Sequence, residues 1–383
     1  MQEQVAKKSS RVEFIDVAKF IGILFVVWAH AVSKNREFIM IAYTFHLPLF
    51  FALNGYTLKI RENENFGQYL YRKIKSYVIP IFCIGSILIV TEQILTHHFT
   101  FDINYFIDRF VYLSEQKRAF PLWFVGALFC SDLIFYFVVK ASKNKLVFVI
   151  LISFIILLMG IYYNSIRGNV VLLWNFDVSM IGVIFVCVGY ILKHPTLAKV
   201  HNFVFKKRWI ALIIGVVLFT CGCLISKYNY DTYHLHLEMW ARQYQKYYLT
   251  IPAAILCSYG IIAFSFAISN KVLGELGKTT LIILAFHQIL AFHIFNVHIA
   301  SSWWTQVVQV NKSSYYFLYS TVETIFSMVM LIILHYIFAY SPFAFMIGKK
   351  MPQIYKEKWS QFIELCKRKI SSLKQKITSK NND

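Results

Sequence analysis

The sequence predicts an all-α membrane protein with about ten transmembrane helices, and three observations support this fold class. Of the 383 residues, 58% are apolar and only 15% are charged, which is too apolar for a soluble chain of this length. Stretches long enough to cross a bilayer as a helix, about 20 residues, recur ten times. Most of the 39 lysine and arginine residues flank one side of these stretches, so the positive-inside rule predicts that both termini are cytoplasmic.

The apolar stretches follow one another along most of the chain. They fall near residues 14–33, 38–58, 77–95, 121–139, 146–163, 173–192, 209–226, 248–268, 279–298 and 321–347. We expect one transmembrane domain over residues 1–348 and a basic amphipathic cytoplasmic tail over residues 349–383. A cleaved signal peptide is the alternative for the first stretch, but Asp16 and Lys19 would interrupt its apolar core.

The charge and cysteine content exclude several other classes. A net charge of +20 would suggest a nucleic-acid partner for a soluble chain, but here the basic residues lie beside apolar stretches, so we expect membrane lipid instead. The seven cysteines form no CxxC pair and mostly lie within apolar stretches, which favours packing over metal or disulfide chemistry. His234 and His236 alone do not make a metal site. We therefore expect no metal and no permanently bound cofactor.

The first two stretches carry polar groups at membrane depth. Lys19 and His30 are eleven residues apart, about three helical turns, so they share one face of the first helix with Asp16 and Gly22. The second stretch contains His46. Ionisable groups inside a membrane are costly and indicate a functional site. A histidine titrates near neutral pH, so it is a natural general base for a hydroxyl nucleophile.

The same region resembles a known family. The strings RVEFIDVAKFIGILFVVWAH and FHLPLFFALNGY, with a basic residue, ten residues and a histidine in the first, resemble the acyltransferase 3 family of integral-membrane acyltransferases, and above all its fucose 4-O-acetylase-like branch. This chain has Phe20 where that branch often has glycine, and Asn54-Gly55 where Ser-Gly is usual. The resemblance implies a multi-pass O-acetyltransferase of the bacterial plasma membrane, with acetyl-CoA as donor and a cell-surface or lipid-linked glycan as acceptor.

The candidate donor-binding residues are basic and lie on the expected cytoplasmic side. They are Lys19, Arg72, Lys73 and Lys75, which Lys278 would join. Guanidinium and ammonium groups pair with phosphates such as those of coenzyme A, and the resemblance implies basic residues before the third helix. Anchoring of the helix end to anionic lipid is the alternative for Arg72, Lys73 and Lys75.

The candidate residues for chemistry and acceptor binding lie in the expected outer half. The catalytic set is His30 as general base, with His46 and Asp177. The acceptor-binding set is Trp123, Trp174, Asn175, Glu238, Arg242 and His287. Three of these residues have structural alternatives: an interfacial aromatic belt for Trp123, a helix-locking ion pair for Asp177 and an interior packing role for His287.

Two other functions remain open at this point. A transporter or flippase for a glycan or lipid-linked sugar would use the histidines as a proton relay. A non-catalytic membrane partner with the same fold would tolerate the replacement of Lys19 and His30. The acyltransferase is the function that the sequence favours.

Overall fold

The computed structural model describes residues 13–357, except residues 62, 97–100, 167–169, 245 and 301–313. Within these residues ten helices are long and apolar enough to cross a membrane, and no β-strand forms, which confirms the predicted fold class. In chain order they are α1 Glu13–Ala31, α2 Arg36–Thr57, α3 Phe66–Thr96, α4 Trp123–Ala141, α5 Leu146–Ile166, α6 Leu173–Leu192, α7 Arg208–Tyr233, α8 Tyr247–Ile268, α9 Lys271–Ile299 and α10 Tyr315–Ala339. The orientation of the termini stays a prediction, and most of the expected tail, from residue 358, lies outside the described residues.

Asparagine side chains cap the starts of three of these helices, α2, α3 and α9, the last through Asn270. The Asn35 side chain accepts a hydrogen bond from the backbone N–H of Phe38 at 3.0 Å, so it caps α2 directly after a short turn from α1. Asn65 and Gln68 form a capping box at the start of α3. Such caps satisfy backbone N–H groups that have no partner within the helix. The tight cap on α2 makes α1 and α2 an antiparallel hairpin.

Helix α2 lies at the centre of the bundle, where it packs against α1, α6 and α8. Its contact with α6 is close enough to exclude any side chain at two positions. A Cβ atom on Gly55 would lie 1.9 Å from the carbonyl oxygen of Val186, and one on Gly189 would lie 1.7 Å from that of Ala52. Because both backbones need this space, only glycine fits at either position.

Helices α3 and α9 are continuous but irregular. Helix α3 contains a π-helical segment at Ile74–Val78, and α9 contains two, at His287–Phe292 and Phe295–Ile299. Such segments widen a helix locally and occur often at functional sites. In α9 the first one begins at His287, which is one of the predicted site residues.

The bundle has two ends, which we name from α1. The lower end is where α1 begins at Glu13, and the upper end is where it ends at Ala31. An amphipathic helix, Ile103–Glu115, follows α3 at the upper end, and residues 116–122 connect it to α4. A short hairpin closed by Glu238 and Gln243 lies between α7 and α8 at the same end. These connecting segments cover an internal cavity.

Candidate active site

A cavity of about 430 Å³ lies in the upper half of the bundle. Its walls come from α1, α2, α4 and α9, and its cover comes from residues 118–121 and 238–240. The polar and aromatic side chains that line it are His30, Tyr43, His46, Arg118, Phe120, Trp123, Phe124, Glu238, Trp240, His287 and Gln288. This size and this mixture of apolar walls with a few polar groups are typical of small-molecule sites.

Histidines from two helices meet in the cavity. The rings of His30 on α1 and His287 on α9 have centroids 5.2 Å apart. The Nδ1 atom of His287 lies 2.9 Å from the carbonyl oxygen of Leu284 and 3.1 Å from that of Ile283. A carbonyl only accepts, so Nδ1 carries the proton and Nε2 of the neutral ring keeps its lone pair. Within the described residues this buried Nε2 atom has no hydrogen-bond partner.

A third histidine is held in the same way on α2. The Nδ1 atom of His46 lies 2.7 Å from the carbonyl oxygen of Ala42, which again puts the proton on Nδ1. The Tyr43 ring, one turn earlier, has its centroid 4.8 Å from that of His46 and 6.3 Å from that of His30. Backbone carbonyls of their own helices therefore orient both His46 and His287, and Tyr43 links His46 to His30.

Arg118 brings a buried positive charge to the cavity. Its Nη2 atom donates to Oδ2 of Asp177 at 2.9 Å, its Nη1 atom donates to Oδ1 of Asn175, and its Nε atom donates to the carbonyl oxygen of Trp240 at 2.8 Å. The guanidinium also lies over the Trp123 ring, 5.2 Å from the centroid. A guanidinium has five N–H groups, so two remain beyond these three bonds. Burial lowers the pKa of Arg118, which Asp177 counteracts, and an arginine stays charged at any physiological pH.

His236 and Glu238, at the cover of the cavity, form a polar pair that is weaker than the pair of Arg118 and Asp177. The Nε2 atom of His236 lies 3.7 Å from Oε2 of Glu238, and the His236 ring centroid is 5.4 Å from that of Tyr43. Burial raises the pKa of Glu238 and lowers the pKa of His236, so both groups tend towards the neutral form. The side chains of Tyr43, His236 and Glu238 therefore lie between the buried histidines and the upper surface.

The structure brings together five of the residues predicted for the upper half. His30, His46, Trp123, Glu238 and His287 all line the cavity.

The four others reach the site only through Arg118 or lie away from it. Asn175 and Asp177 bind Arg118, which agrees with the ion-pair alternative for Asp177. Trp174 packs with its ring centroid 5.5 Å from that of Phe129. Arg242 donates to the carbonyl oxygen of Val170 at 2.9 Å and does not line the cavity.

Most of the basic residues predicted to bind the donor have carboxylate partners. Lys19 pairs with Asp16 at 3.2 Å, and Arg72 pairs with Glu64 at 2.7 Å. Lys278 pairs with Glu275 on the same helix.

The other two members of this group differ in exposure. Lys73 forms a buried ion pair with Asp132 on α4. Lys75 lies over the Tyr71 ring, with its Nζ atom 4.4 Å from the centroid. Of the predicted set, therefore, only Lys75 lacks a carboxylate partner among the described residues.

Four polar residues with contacts at these sites were not predicted from the sequence. Tyr43, Arg118 and Gln288 line the cavity, and Asp132 binds Lys73. Tyr43 lies three residues before His46, so the two side chains share one helix face. This spacing could have identified Tyr43 from the sequence. Asp132 lies inside the predicted apolar stretch 121–139, so a carboxylate at membrane depth was a signal that would have found it. No local pattern marks Arg118, because its partners are distant in sequence.

The arrangement suits proton transfer beside a developing negative charge. Histidines with a free lone pair accept a proton from a hydroxyl group, and a fixed guanidinium stabilises an oxyanion. Within the described part of the chain, no group of three or more His, Cys, Asp or Glu side chains has the arrangement of a metal site.

The sequence matches one family model. Residues 12–339 match Acyl_transf_3, which is described as an acyltransferase domain, and this range includes every residue that lines the cavity. No curated protein matches the chain, and no solved structure does. The match concerns the family, so the fucose 4-O-acetylase-like branch stays a prediction.

Proposed function

The chain belongs to the acyltransferase 3 family, and from this premise we propose that it is a membrane O-acetyltransferase. It moves an acetyl group from acetyl-CoA on the cytoplasmic side to a hydroxyl group of a cell-surface or lipid-linked glycan. The lower end of the bundle faces the cytoplasm of a bacterial cell, and both termini lie there. The observation that supports this most strongly is the cavity in which His30, His287 and Arg118 meet.

His30 acts as the general base in this mechanism. The acceptor hydroxyl attacks the thioester carbonyl carbon, and His30 takes the hydroxyl proton as the new C–O bond forms. The negative charge that develops on the carbonyl oxygen is stabilised by the two remaining N–H groups of Arg118. The tetrahedral intermediate then collapses, the C–S bond breaks, and the leaving thiolate takes the proton from His30. No proton is gained or lost over the cycle.

His46 and His287 orient the reacting groups. Each keeps an unprotonated Nε2 atom, since Nδ1 donates to a backbone carbonyl oxygen, so each accepts a hydrogen bond from an acceptor hydroxyl. The aromatic faces of Trp123 and Trp240 supply apolar surface for the C–H groups of a sugar ring. Asp177 holds Arg118 in place and does not touch the substrate.

The test is transfer of radiolabelled acetyl from acetyl-CoA to extracted surface glycan. Membranes carry the wild-type chain, His30→Ala, or His298→Ala, at matched expression; His298 is exposed and does not line the cavity. Label with wild type and His298→Ala, but not with His30→Ala, supports the proposal. No label from any of the three, with glycan export dependent on the protein, indicates a transporter instead.

A further inference from the structure

A second cavity, at the lower end of the bundle, is lined by basic residues. It has a volume of about 600 Å³ and lies between the ends of α2, α4 and α6. We call it the basic groove, and its cationic residues are Lys59, Arg61, Lys140, Lys143 and Lys193. Among the residues that the structure describes, no aspartate or glutamate lines it. Its volume falls in the range of sites that bind small molecules.

The cations of the basic groove form no ion pairs in the part of the chain that the structure describes, although Glu64 lies near Arg61. Among the described residues, none of the five forms an ion pair with a carboxylate. At the same end, Arg72 pairs with Glu64 and Lys73 pairs with Asp132. Like charges gathered in a concave site create a positive potential that attracts anions. Within the described residues, the groove is therefore a place at the lower end where several positive charges remain free for a ligand.

Part of the basic groove is held in a fixed shape by hydrogen bonds. The Lys193 ammonium donates to the carbonyl oxygen of Leu58, which ties the end of α6 to the end of α2. The Tyr190 hydroxyl donates to Oδ1 of Asn144. The Nε2 atom of His194 lies 3.3 Å from the carbonyl oxygen of Asn144. These bonds join the ends of three helices, so the groove exists before a ligand binds.

The charged form of Lys193 is destabilised by its position in the groove. Burial, together with the nearby cations of Lys59 and Lys73, lowers the pKa of Lys193 to about 8. An ammonium in this position is destabilised because water is excluded and its neighbours are also positive. A bound anion would offset both the exclusion of water and the repulsion by neighbouring cations.

We propose that the basic groove binds the phosphate groups of the acyl donor, namely the pyrophosphate and ribose phosphate of coenzyme A. This rests on the proposed function, since it takes acetyl-CoA as the donor. Arg61 offers a planar fork to one phosphate, and the lysines act as point charges on the others. The rings of Tyr190 and His194, with centroids 6.1 Å apart, provide aromatic surface for the adenine base.

The groove and the cavity lie on the same face of α2. Leu47 lines the cavity and Leu58 lines the groove, and eleven residues correspond to about three helical turns, or about 16 Å. The acyl-bearing arm of the donor has to cover this distance beside the closed contact of α2 with α6 at Gly55.

The test measures binding of adenosine 3′,5′-bisphosphate to the purified full chain in detergent. Lys59→Gln and Lys143→Gln each remove one cation from the groove, and loss of a charge-assisted hydrogen bond should weaken binding about tenfold. The control is Lys206→Gln, which removes an exposed cation outside the groove and should bind like wild type. Arg72→Gln tests the rival site, which is the set of residues predicted from sequence to bind the donor phosphates.

Two binding results would overturn the proposal. One is wild-type affinity in both groove variants. The other is a loss of affinity confined to Arg72→Gln, which would return the phosphate site to the residues predicted from sequence.

Nanodiscs distinguish the donor from a lipid headgroup as the source of the phosphate. If coenzyme A is the ligand, the bisphosphate binds about equally in phosphatidylcholine and phosphatidylglycerol nanodiscs. Binding that is lost in phosphatidylglycerol and restored in phosphatidylcholine means that anionic lipid occupies the groove, and this overturns the donor assignment.

Acetyl transfer by the same preparations separates this inference from the proposed function. If wild type transfers acetyl, and the groove variants transfer acetyl and bind the bisphosphate as wild type does, only the inference about the groove is contradicted. No transfer by wild type contradicts the proposed function and with it the donor assignment, while groove-dependent bisphosphate binding would still establish a phosphate site.

Discussion

Arg118 and Asp177 form a buried ion pair, with Nη2 donating to Oδ2 at 2.9 Å. The pair joins the segment before α4 to the first turn of α6 and presents the guanidinium to the cavity. Asn175 binds the same guanidinium. The pair therefore fixes the position of the positive charge that the proposed mechanism places beside the thioester carbonyl.

We expect Asp177→Leu to destabilise the protein by about 3–5 kcal/mol, because it leaves the buried Arg118 cation without its carboxylate. The double variant Arg118→Met, Asp177→Leu removes both charges and should recover most of this stability. Thermal unfolding in detergent checks both values. Equal stability of the single variant and wild type would show that the pair does not hold these segments together.

The double variant also separates a structural role of Arg118 from a role in the reaction. We expect it to be folded but to lose about 10²-fold or more in acetyl transfer, since the oxyanion has lost its cation. The measurement is the turnover number at saturating acetyl-CoA, with Asp231→Asn, an exposed carboxylate outside the cavity, as control. Transfer at the wild-type rate by a stable double variant would rule out Arg118 as the stabilising group.

His30→Ala should lower the turnover number about 10²- to 10⁴-fold, the range associated with loss of a general base. Acetyl-CoA affinity should change little, because His30 lies at the opposite end of the bundle from the basic groove. His298→Ala is the matched control. A large rise in the KM for acetyl-CoA with an unchanged turnover number would assign His30 to donor binding.

The buried pair of Lys73 and Asp132 should be structural. Lys73→Met alone leaves Asp132 without its partner and should cost about 3–5 kcal/mol of stability, whereas Lys73→Met with Asp132→Leu should restore it. In the stable double variant we expect the KM for acetyl-CoA to match that of wild type. A KM raised about tenfold would instead support Lys73 as a donor-binding residue, as the sequence predicts.

The ligand-free protein should become more stable between pH 8 and pH 10 through Lys193. Its pKa is lowered from 10.5 to about 8 by burial and nearby cations, so in this interval the unfolded chain holds a proton that the folded chain has released. Stability rises with pH wherever the unfolded state binds more protons. The charged and titratable groups around Lys193 are Lys59, Arg61, Lys73, Lys140, Lys143, Tyr190 and His194.

The measurement is the melting temperature of wild type minus that of Lys193→Gln, as a function of pH. We expect the difference to increase from pH 8 to pH 10 and to flatten when adenosine 3′,5′-bisphosphate is present, since a bound anion favours the charged lysine. A difference that stays constant with pH would contradict this role of Lys193.

The all-α fold, the ten helices and the histidines at membrane depth could all be predicted from the sequence. Hydrophobicity is a local property, so a window of about 20 residues identifies a membrane helix without knowledge of its neighbours. A histidine in such a window stands out for the same reason, and His30, His46 and His287 all line the cavity.

The pairing of charged residues could not be predicted in this way, because it depends on the folded bundle. Arg118 and Asp177 are 59 residues apart, as are Lys73 and Asp132, and no local pattern joins either pair. Ion pairing depends on which helices pack together and in which register, and that follows from the whole bundle. The same packing pairs Lys73 with Asp132 and leaves the cations of the basic groove without ion pairs within the described residues.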